Sequence, residues 1–463
     1  MKRILFLVLV AVSANGYADQ FHYNNFIMGD RAVGMGGAYA GVSDDASGVI
    51  YNPAGLAFAL SNDISGSANA FYDRNVKYKE AVCGTDFEEN SGGSVPAFFG
   101  GLQKLDRHVK GLVFAFGVYT VDSELKDQDT LISDATCGSV EISRYHRTSN
   151  HRSSTVYYGG AVGYRVSPNF SVGFGLNYFS IDELVQEYQD AKQNTVSNPD
   201  TWRILSQNVR QRLTGFGIEP VLGVQYAFGG SFSVGATLKY GMLLGQEMEI
   251  STENRQIFLT KENLDKVEAS DLSNAGVIAE SINNEKNDKP LGGWPTSLRV
   301  GFAWFINTKS LFTLDLTHST AVNNAGEIAA FGKPIYNREA VTNLASGFEY
   351  YMLPAFPLRV GLFTNNDARP KINEGTPNSD AGITCTGTSD AAKAFAEKYC
   401  GQPDHVDYIG ESIYLAWVQP NSQIAAGVVL QQGSGKSQKT GDHQVQDVEA
   451  SSLTFGFSAT HNF

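Results

Sequence analysis

From about residue 60 to the C-terminus, apolar and polar residues take turns along the chain with a period of two, the spacing at which successive side chains of a strand face opposite ways. Val172, Phe174, Leu176 and Tyr178 share one face of such a segment, and Ser171, Gly173, Gly175 and Asn177 the other. In 231–240, Phe232, Val234, Ala236, Leu238 and Tyr240 oppose Ser231, Ser233, Gly235, Thr237 and Lys239. Leu298, Val300, Phe302, Trp304 and Ile306 face away from Arg299, Gly301 and Ala303, and Phe312, Leu314 and Leu316 alternate with Thr313, Asp315 and Thr317. Counting such segments predicts fourteen strands, near 61–73, 94–104, 110–121, 153–166, 170–188, 207–228, 231–251, 294–306, 310–320, 340–352, 357–366, 408–418, 422–433 and 450–463.

The connections come in two lengths that alternate. Short ones fall at 105–109, 167–169, 229–230, 307–309, 353–356 and 419–421; long ones at roughly 74–93, 122–152, 189–206, 252–293, 321–339, 367–407 and 434–449, with Ser139–Arg147 counted as loop. A soluble sandwich also alternates, but it has no reason to sort its connections. Short periplasmic turns opposite long external loops are the pattern of a bacterial outer-membrane barrel. The last strand points the same way: Leu453, Phe455, Phe457, Ala459, His461 and Phe463 share a face and end the chain on an aromatic residue, resembling the signal read by the outer-membrane assembly machinery.

The first 18 residues are expected to be a signal peptide: Lys2 and Arg3, the apolar run Ile4–Val12, then Gly16-Tyr17-Ala18. That run is well short of the roughly 20 residues of a membrane-spanning helix. Removing residues 1–18 takes formal charge from −13 to −15, because only Lys2 and Arg3 are charged there. An exported chain with no longer apolar run is either soluble or a barrel. With 48 Gly, 28 Phe, 21 Tyr and 18% charged residues, the composition suits small interior positions and an aromatic girdle, hence the barrel and a Gram-negative outer-membrane location. Net acidity argues against a nucleic-acid partner.

Residues 19–59 break the period. Small residues, turn formers and Asp44-Asp45 suggest a compact plug inside a cavity, so the expected organisation is 1–18 signal, 19–59 hatch and 60–463 barrel, an all-β transmembrane fold. In an exported chain disulfides are the default for Cys83, Cys137, Cys385 and Cys400. Cys385 and Cys400 share a loop, which favours pairing them and Cys83 with Cys137, although four cysteines allow three connectivities. Motifs for enzymes fail. Gly433–Ser437 (GSGKS) lacks the earlier glycine of a phosphate loop, Gly34–Gly37 follows no hydrophobic strand, and the eight His have no metal spacing. No cofactor and no enzyme activity are expected.

The run from Arg31 to Ala57 (RAVGMGGAYAGVSDDASGVIYNPAGLA), in particular Asp44-Asp45-Ala46 followed by Asn52-Pro53-Ala54, closely resembles the N-terminal region of the FadL/TodX family of outer-membrane transporters for long-chain fatty acids and aromatic hydrocarbons. The resemblance implies a fourteen-stranded, hatch-plugged barrel, here expected to be a monomer in lipid and lipopolysaccharide. It implies capture of a hydrophobic small molecule by the loops at 189–206, with Trp202 and Leu205, and at 252–293, with Leu264 and Val267 in helix-compatible sequence. It further implies lateral release at a kink in strand three, for which Gly117 is the candidate. By position, the mature N-terminus would contribute Phe21 and Phe26 to the ligand site. A carboxylate-bearing ligand would want a cationic partner, with Arg165, Lys239, Arg299 and Arg359 as candidates. The alternative is a structural or secretion-associated barrel whose loops bind a protein.

Overall fold

The computed structural model describes residues 21–82, 84–137, 140–195, 198–260, 278–287, 291–323, 327–328, 333–334, 337–372, 404–438 and 445–463. Fourteen antiparallel strands close into a ring: β1 Asp63–Val82, β2 Thr85–Lys104, β3 Leu112–Cys137, β4 Val140–Ser167, β5 Phe170–Thr195, β6 Asn198–Phe228, β7 Phe232–Tyr240, β8 Thr296–Asn307, β9 Ser310–Ser319, β10 Val341–Leu353, β11 Phe356–Asn365, β12 His405–Gln419, β13 Ser422–Ser437 and β14 Gln446–Asn462. Each strand pairs with its sequence neighbours over at least part of its length, and β1 pairs with β14 from Asp63↔Asn462 upward, which closes the ring. The alternation sorts as lipid demands. Phe174, Leu176 and Tyr178 are exposed on the outside of β5, while Ser171 and Asn177 are buried inside. Both ends of the wall meet at the short-turn end, which is therefore periplasmic.

The long connections differ from expectation. Most of 74–93, 122–152 and 189–206 is strand, not loop, and of the expected loop Ser139–Arg147 everything from Val140 onward belongs to β4. Strands β1 to β6 run on past the bilayer as tall hairpins. On the outer face of β4 the side chains change from Val156, Tyr158 and Val162 to Ser154, Arg152 and Asn150, so the lipid band ends there and the hairpins stand in water. Period-two alternation fades at that level because water wets both faces, which is why the sequence looked like loop.

Two departures shape the upper wall. Past Gly241, β7 continues as Met242–Thr260, still paired with β6 (Thr201–Ile218) but no longer with β8; a further strand, Ile278–Asn287, pairs with it. Above the membrane β3, β4, β5, β6, this continuation and 278–287 therefore form a six-stranded sheet. Of 252–293, the described residues 252–260 and 278–287 are strand rather than helix. The second departure is at β2 and β3, which pair only from Phe98↔Tyr119 to Lys104↔Val113. Higher up β2 pairs only with β1, and β3 only with β4, leaving a seam in the wall.

Candidate functional site

Inside the ring, the described residues 21–59 hydrogen-bond to β5, β6, β7, β9, β11, β12, β13 and β14, so this segment occupies the lumen. Its seat is a belt of inward glycines. A Cβ on Gly173 would lie 2.3 Å from the Ala54 nitrogen, one on Gly223 2.2 Å from Asn52 Oδ1, and one on Gly235 2.0 Å from the Ala40 oxygen. Only glycine lets the wall backbone approach the hatch this closely.

The Asn52-Pro53-Ala54 triplet lies on that belt. Asn52 is fully buried; its Nδ2 donates to the Ala40 carbonyl at 3.0 Å and the Val224 carbonyl at 3.1 Å, and its Oδ1 accepts the Ala54 N–H at 3.1 Å. Ser171 donates to the Ala54 carbonyl at 2.7 Å. Asp44 and Asp45 both accept from the Tyr39 hydroxyl, at 2.9 and 2.8 Å, and Asp44 lies 3.4 Å from Arg31. Arg31 in turn joins Glu349 on β10 at 2.7 Å, which also holds Arg359 at 2.8 Å. Asp30 accepts from Ser458 at 2.6 Å, Thr460 at 3.0 Å and Gln423. Sequence alone did not single out Arg31, Asp30 or Glu349, since a charged residue facing a lumen carries no distinctive spacing.

Above the hatch lies a cavity of about 150 Å³. Phe26, Ile27, Met28, Ile50 and Tyr51 of the hatch form its floor, and Tyr119, Val121, Tyr157 and Trp294 its wall. The wall is an aromatic stack: Tyr119 to Tyr157 at 5.1 Å, Tyr157 to Phe179 at 5.3 Å, Phe179 to Trp294 at 5.0 Å. Such stacks favour flat apolar guests. The opposite side carries Lys239 with Glu219 at 4.0 Å and Arg299 with Asp315 at 3.9 Å, two pairs whose charges offset. Asp315 is further held by the N–H groups of Tyr39 and Ala40, at 3.0 and 2.9 Å.

The sequence candidates sort out as follows. Phe26 lines the cavity and meets Tyr72 edge-on at 5.5 Å. Phe21, expected to touch ligand, instead lies outside the lining, beneath the guanidiniums of Arg338 at 4.9 Å and Arg369 at 5.5 Å. Of the four cations, Lys239 and Arg299 line the cavity. Arg359 is 1% exposed and bound to Glu349 and Asp30, and Arg165 covers the Phe58 ring at 4.6 Å. Trp202 lies under Lys192 at 5.6 Å on the outward face, because alternation sends its neighbour Arg203 inward. Leu205 lines a separate external pocket of about 290 Å³ whose other walls include Tyr145, Ala191, Gln189, Arg203, Gln207 and Gln256. Leu264, Val267, Cys83, Cys385 and Cys400 lie outside the described residues, as does the side chain of Cys137.

Gly117 sits where the strand pairing is regular. Its register runs unbroken, to Gly100 on β2 and Gly159 on β4. The irregularity in β3 falls between Thr120 and Asp122, so Val121 is the extra residue, two positions above the last β2–β3 pair. Tyr119, Val121 and Asp122 border both this bulge and the cavity, so the cavity reaches the foot of the seam.

No family model matches the chain, and no curated protein does. Solved structures do. Over 95% of this chain and 99% of theirs, it superposes on a Pseudomonas aeruginosa FadL homologue, with TM-score 0.55 and 13% identity. It matches the P. putida toluene transporter TodX over 94% and 98%, with TM-score 0.59 and 10% identity, and the CymD monoaromatic hydrocarbon channel over 94% and 98%, with TM-score 0.50 and 12% identity. At these identities the likeness is one of fold: a fourteen-stranded barrel of the outer-membrane kind.

Proposed function

We propose that this barrel, which shares the fold of TodX and of a FadL homologue, is a passive outer-membrane conduit for compact hydrophobic molecules, monocyclic hydrocarbons above all. The observation that carries this is the aromatic-walled cavity above the hatch, placed at the foot of an unpaired seam. A cavity of about 150 Å³ is below the roughly 300–1,000 Å³ of drug-sized sites and close to the roughly 150 Å³ at which an engineered apolar cavity takes up benzene. A long acyl chain fits only if the hatch shifts. The offset charge pairs at Lys239 and Arg299 favour a neutral guest, since each cation already has its carboxylate. In this reading residues 19–59 gate the lumen, and the guest leaves sideways between β2 and β3 without entering the periplasm. No covalent step is involved; the gain comes from apolar surface leaving water.

The test is uptake of labelled toluene by cells whose outer membrane carries the protein. Uptake should exceed that of cells lacking it several-fold. Deleting Val121, which lets β3 run on in register, should abolish the gain while the barrel keeps its heat-modifiable migration in gels. Undiminished uptake by the deletion variant would refute the sideways route, and no gain by the intact chain would refute the conduit.

A further inference from the structure

Outside the barrel, just above the lipid band, the cations of the tall hairpins divide into two groups. Most are neutralised: Lys77 by Asp86 at 2.9 Å, Lys79 by Glu449 at 3.0 Å, Arg144 by Asp190 at 3.6 Å, Arg255 by Glu280 at 3.0 Å and Lys436 by Asp447 at 2.9 Å. Lys192 lies over the Trp202 ring at 5.6 Å, whereas Arg152, Arg210 and Arg212 are exposed, outward-facing, and within 4.0 Å of no carboxylate among the described residues. All three stand together on β4 and β6.

The pairing register fixes their layout. Leu125, Arg152, Leu184 and Arg212 lie side by side on β3, β4, β5 and β6, so leucine and arginine alternate across four adjacent strands. Glu249, next in that row, Asp127 one row above and Asp182 one row below all stay beyond 4.0 Å of the three guanidiniums, and Glu247, also one row below, is taken by Lys286 at 2.8 Å. At roughly 4.8 Å per strand, Arg152 and Arg212 are about 10 Å apart, and Arg210 stands about 7 Å above Arg212. Below them come Val156 and Phe216, then the touching rings of Tyr158 and Tyr178, 6.2 Å apart, with Tyr178 6.4 Å from Phe216. Aromatic rows of this kind mark the boundary of the hydrocarbon layer.

Unpaired guanidiniums just above that boundary, interleaved with aliphatic side chains, match a ligand that is at once anionic and greasy. We infer that Arg152, Arg210 and Arg212 form a binding site for the phosphorylated glucosamine headgroup of lipid A in the outer leaflet. Guanidinium forks suit phosphate oxygens bidentately; Leu125 and Leu184 lie against the tops of the acyl chains. The inference rests on the chain's being embedded in an outer membrane, but not on what it carries: the patch faces lipid, on the far side of the wall from the cavity.

Diphosphoryl lipid A in detergent micelles, titrated against the full chain, is the probe. The triple variant Arg152→Gln, Arg210→Gln, Arg212→Gln should bind it on the order of a hundredfold more weakly, at about one kcal/mol per cation lost near an anionic surface. Lipid A stripped of phosphate should bind wild-type protein no better than the intact lipid binds the variant. Equal binding by wild type and variant overturns the inference, as does equal affinity for dephosphorylated lipid A or for phosphatidylglycerol. The variant changes only exposed side chains, and it should take up toluene at the wild-type rate. Loss of both uptake and heat-modifiable migration would mean the arginines serve folding instead, and would overturn the site.

Discussion

At the scale of single residues, the hatch is held by a few fully buried polar groups. Asn52 satisfies two carbonyls and one N–H with one amide. Asn52→Ala leaves the Ala40 and Val224 carbonyls short of a donor, costing about 1–3 kcal/mol for each group left unsatisfied. Limited proteolysis should then cut within residues 21–59 several-fold faster than in wild type. Gly173→Ala should act similarly by overlap rather than by a lost bond, since its Cβ falls 2.3 Å from hatch backbone. In the tall hairpins, His151 is buried between Glu124 at 3.4 Å and Glu183 at 3.7 Å. Burial alone would lower its pKa, but the two carboxylates outweigh burial and raise it to about 9. A raised histidine stabilises the folded form fully below its unfolded value, and that stability fades as pH climbs through the folded one. Hydrogen exchange along β4 should therefore quicken as pH passes from about 6.5 to about 9, beyond the intrinsic base-catalysed rise. His151→Gln should show no such transition, and a transition that persists in that variant would assign the effect to another group.

Among elements, the β2–β3 seam has no ladder above Tyr119, yet its upper lips meet through side chains. Glu89 of β2 holds Lys126 of β3 at 2.7 Å and Arg147 of β4 at 3.2 Å, and Arg147 reaches Glu187 of β5 at 2.6 Å. All four side chains are at least nine-tenths buried. Removing one partner of such a pair is costly, roughly 3–5 kcal/mol, because the other charge is stranded. Glu89→Gln is expected to free the upper part of β3, seen as faster hydrogen exchange over 120–137, while the lower barrel keeps its protection. Unchanged exchange there would show that the seam is held by something else. The seam also marks where sequence stopped being informative. All fourteen strands could be counted because lipid enforces apolar-out alternation over residues such as Phe174, Leu176 and Tyr178. Above the bilayer Lys126 faces in and Asp127 out, and a polar-polar alternation is indistinguishable from loop. The bulge at Val121 was equally hidden: a valine in an apolar run carries no mark.

For the molecule as a whole, closure is what makes the wall stable in lipid, and it depends on β14 finding β1. The final residue takes part: the Phe463 N–H donates to the Asn62 carbonyl at 3.1 Å, and its ring is 63% exposed toward the surrounding membrane. Deleting Phe463 should lower the share of protein reaching the heat-modifiable form several-fold, with little effect on the melting of molecules that do fold. An equal folded share would remove the C-terminal residue from any part in assembly. The Asn52-Pro53-Ala54 triplet could be picked out of the sequence, but not the partners that give it meaning. Gly173, Gly223 and Gly235 lie on three strands, separated from it by more than a hundred residues, and only folding brings them to one level.

That glycine collar has an evolutionary corollary. Where plug and wall touch this closely, no side chain can be added at Gly173, Gly223 or Gly235 without displacing the plug. Phe26, Ile27, Met28 and Ile50 are themselves buried in apolar clusters that include wall residues, so inherited change in this layer is confined to swaps of similar volume, and the floor of the cavity would drift only slowly from one descendant to the next.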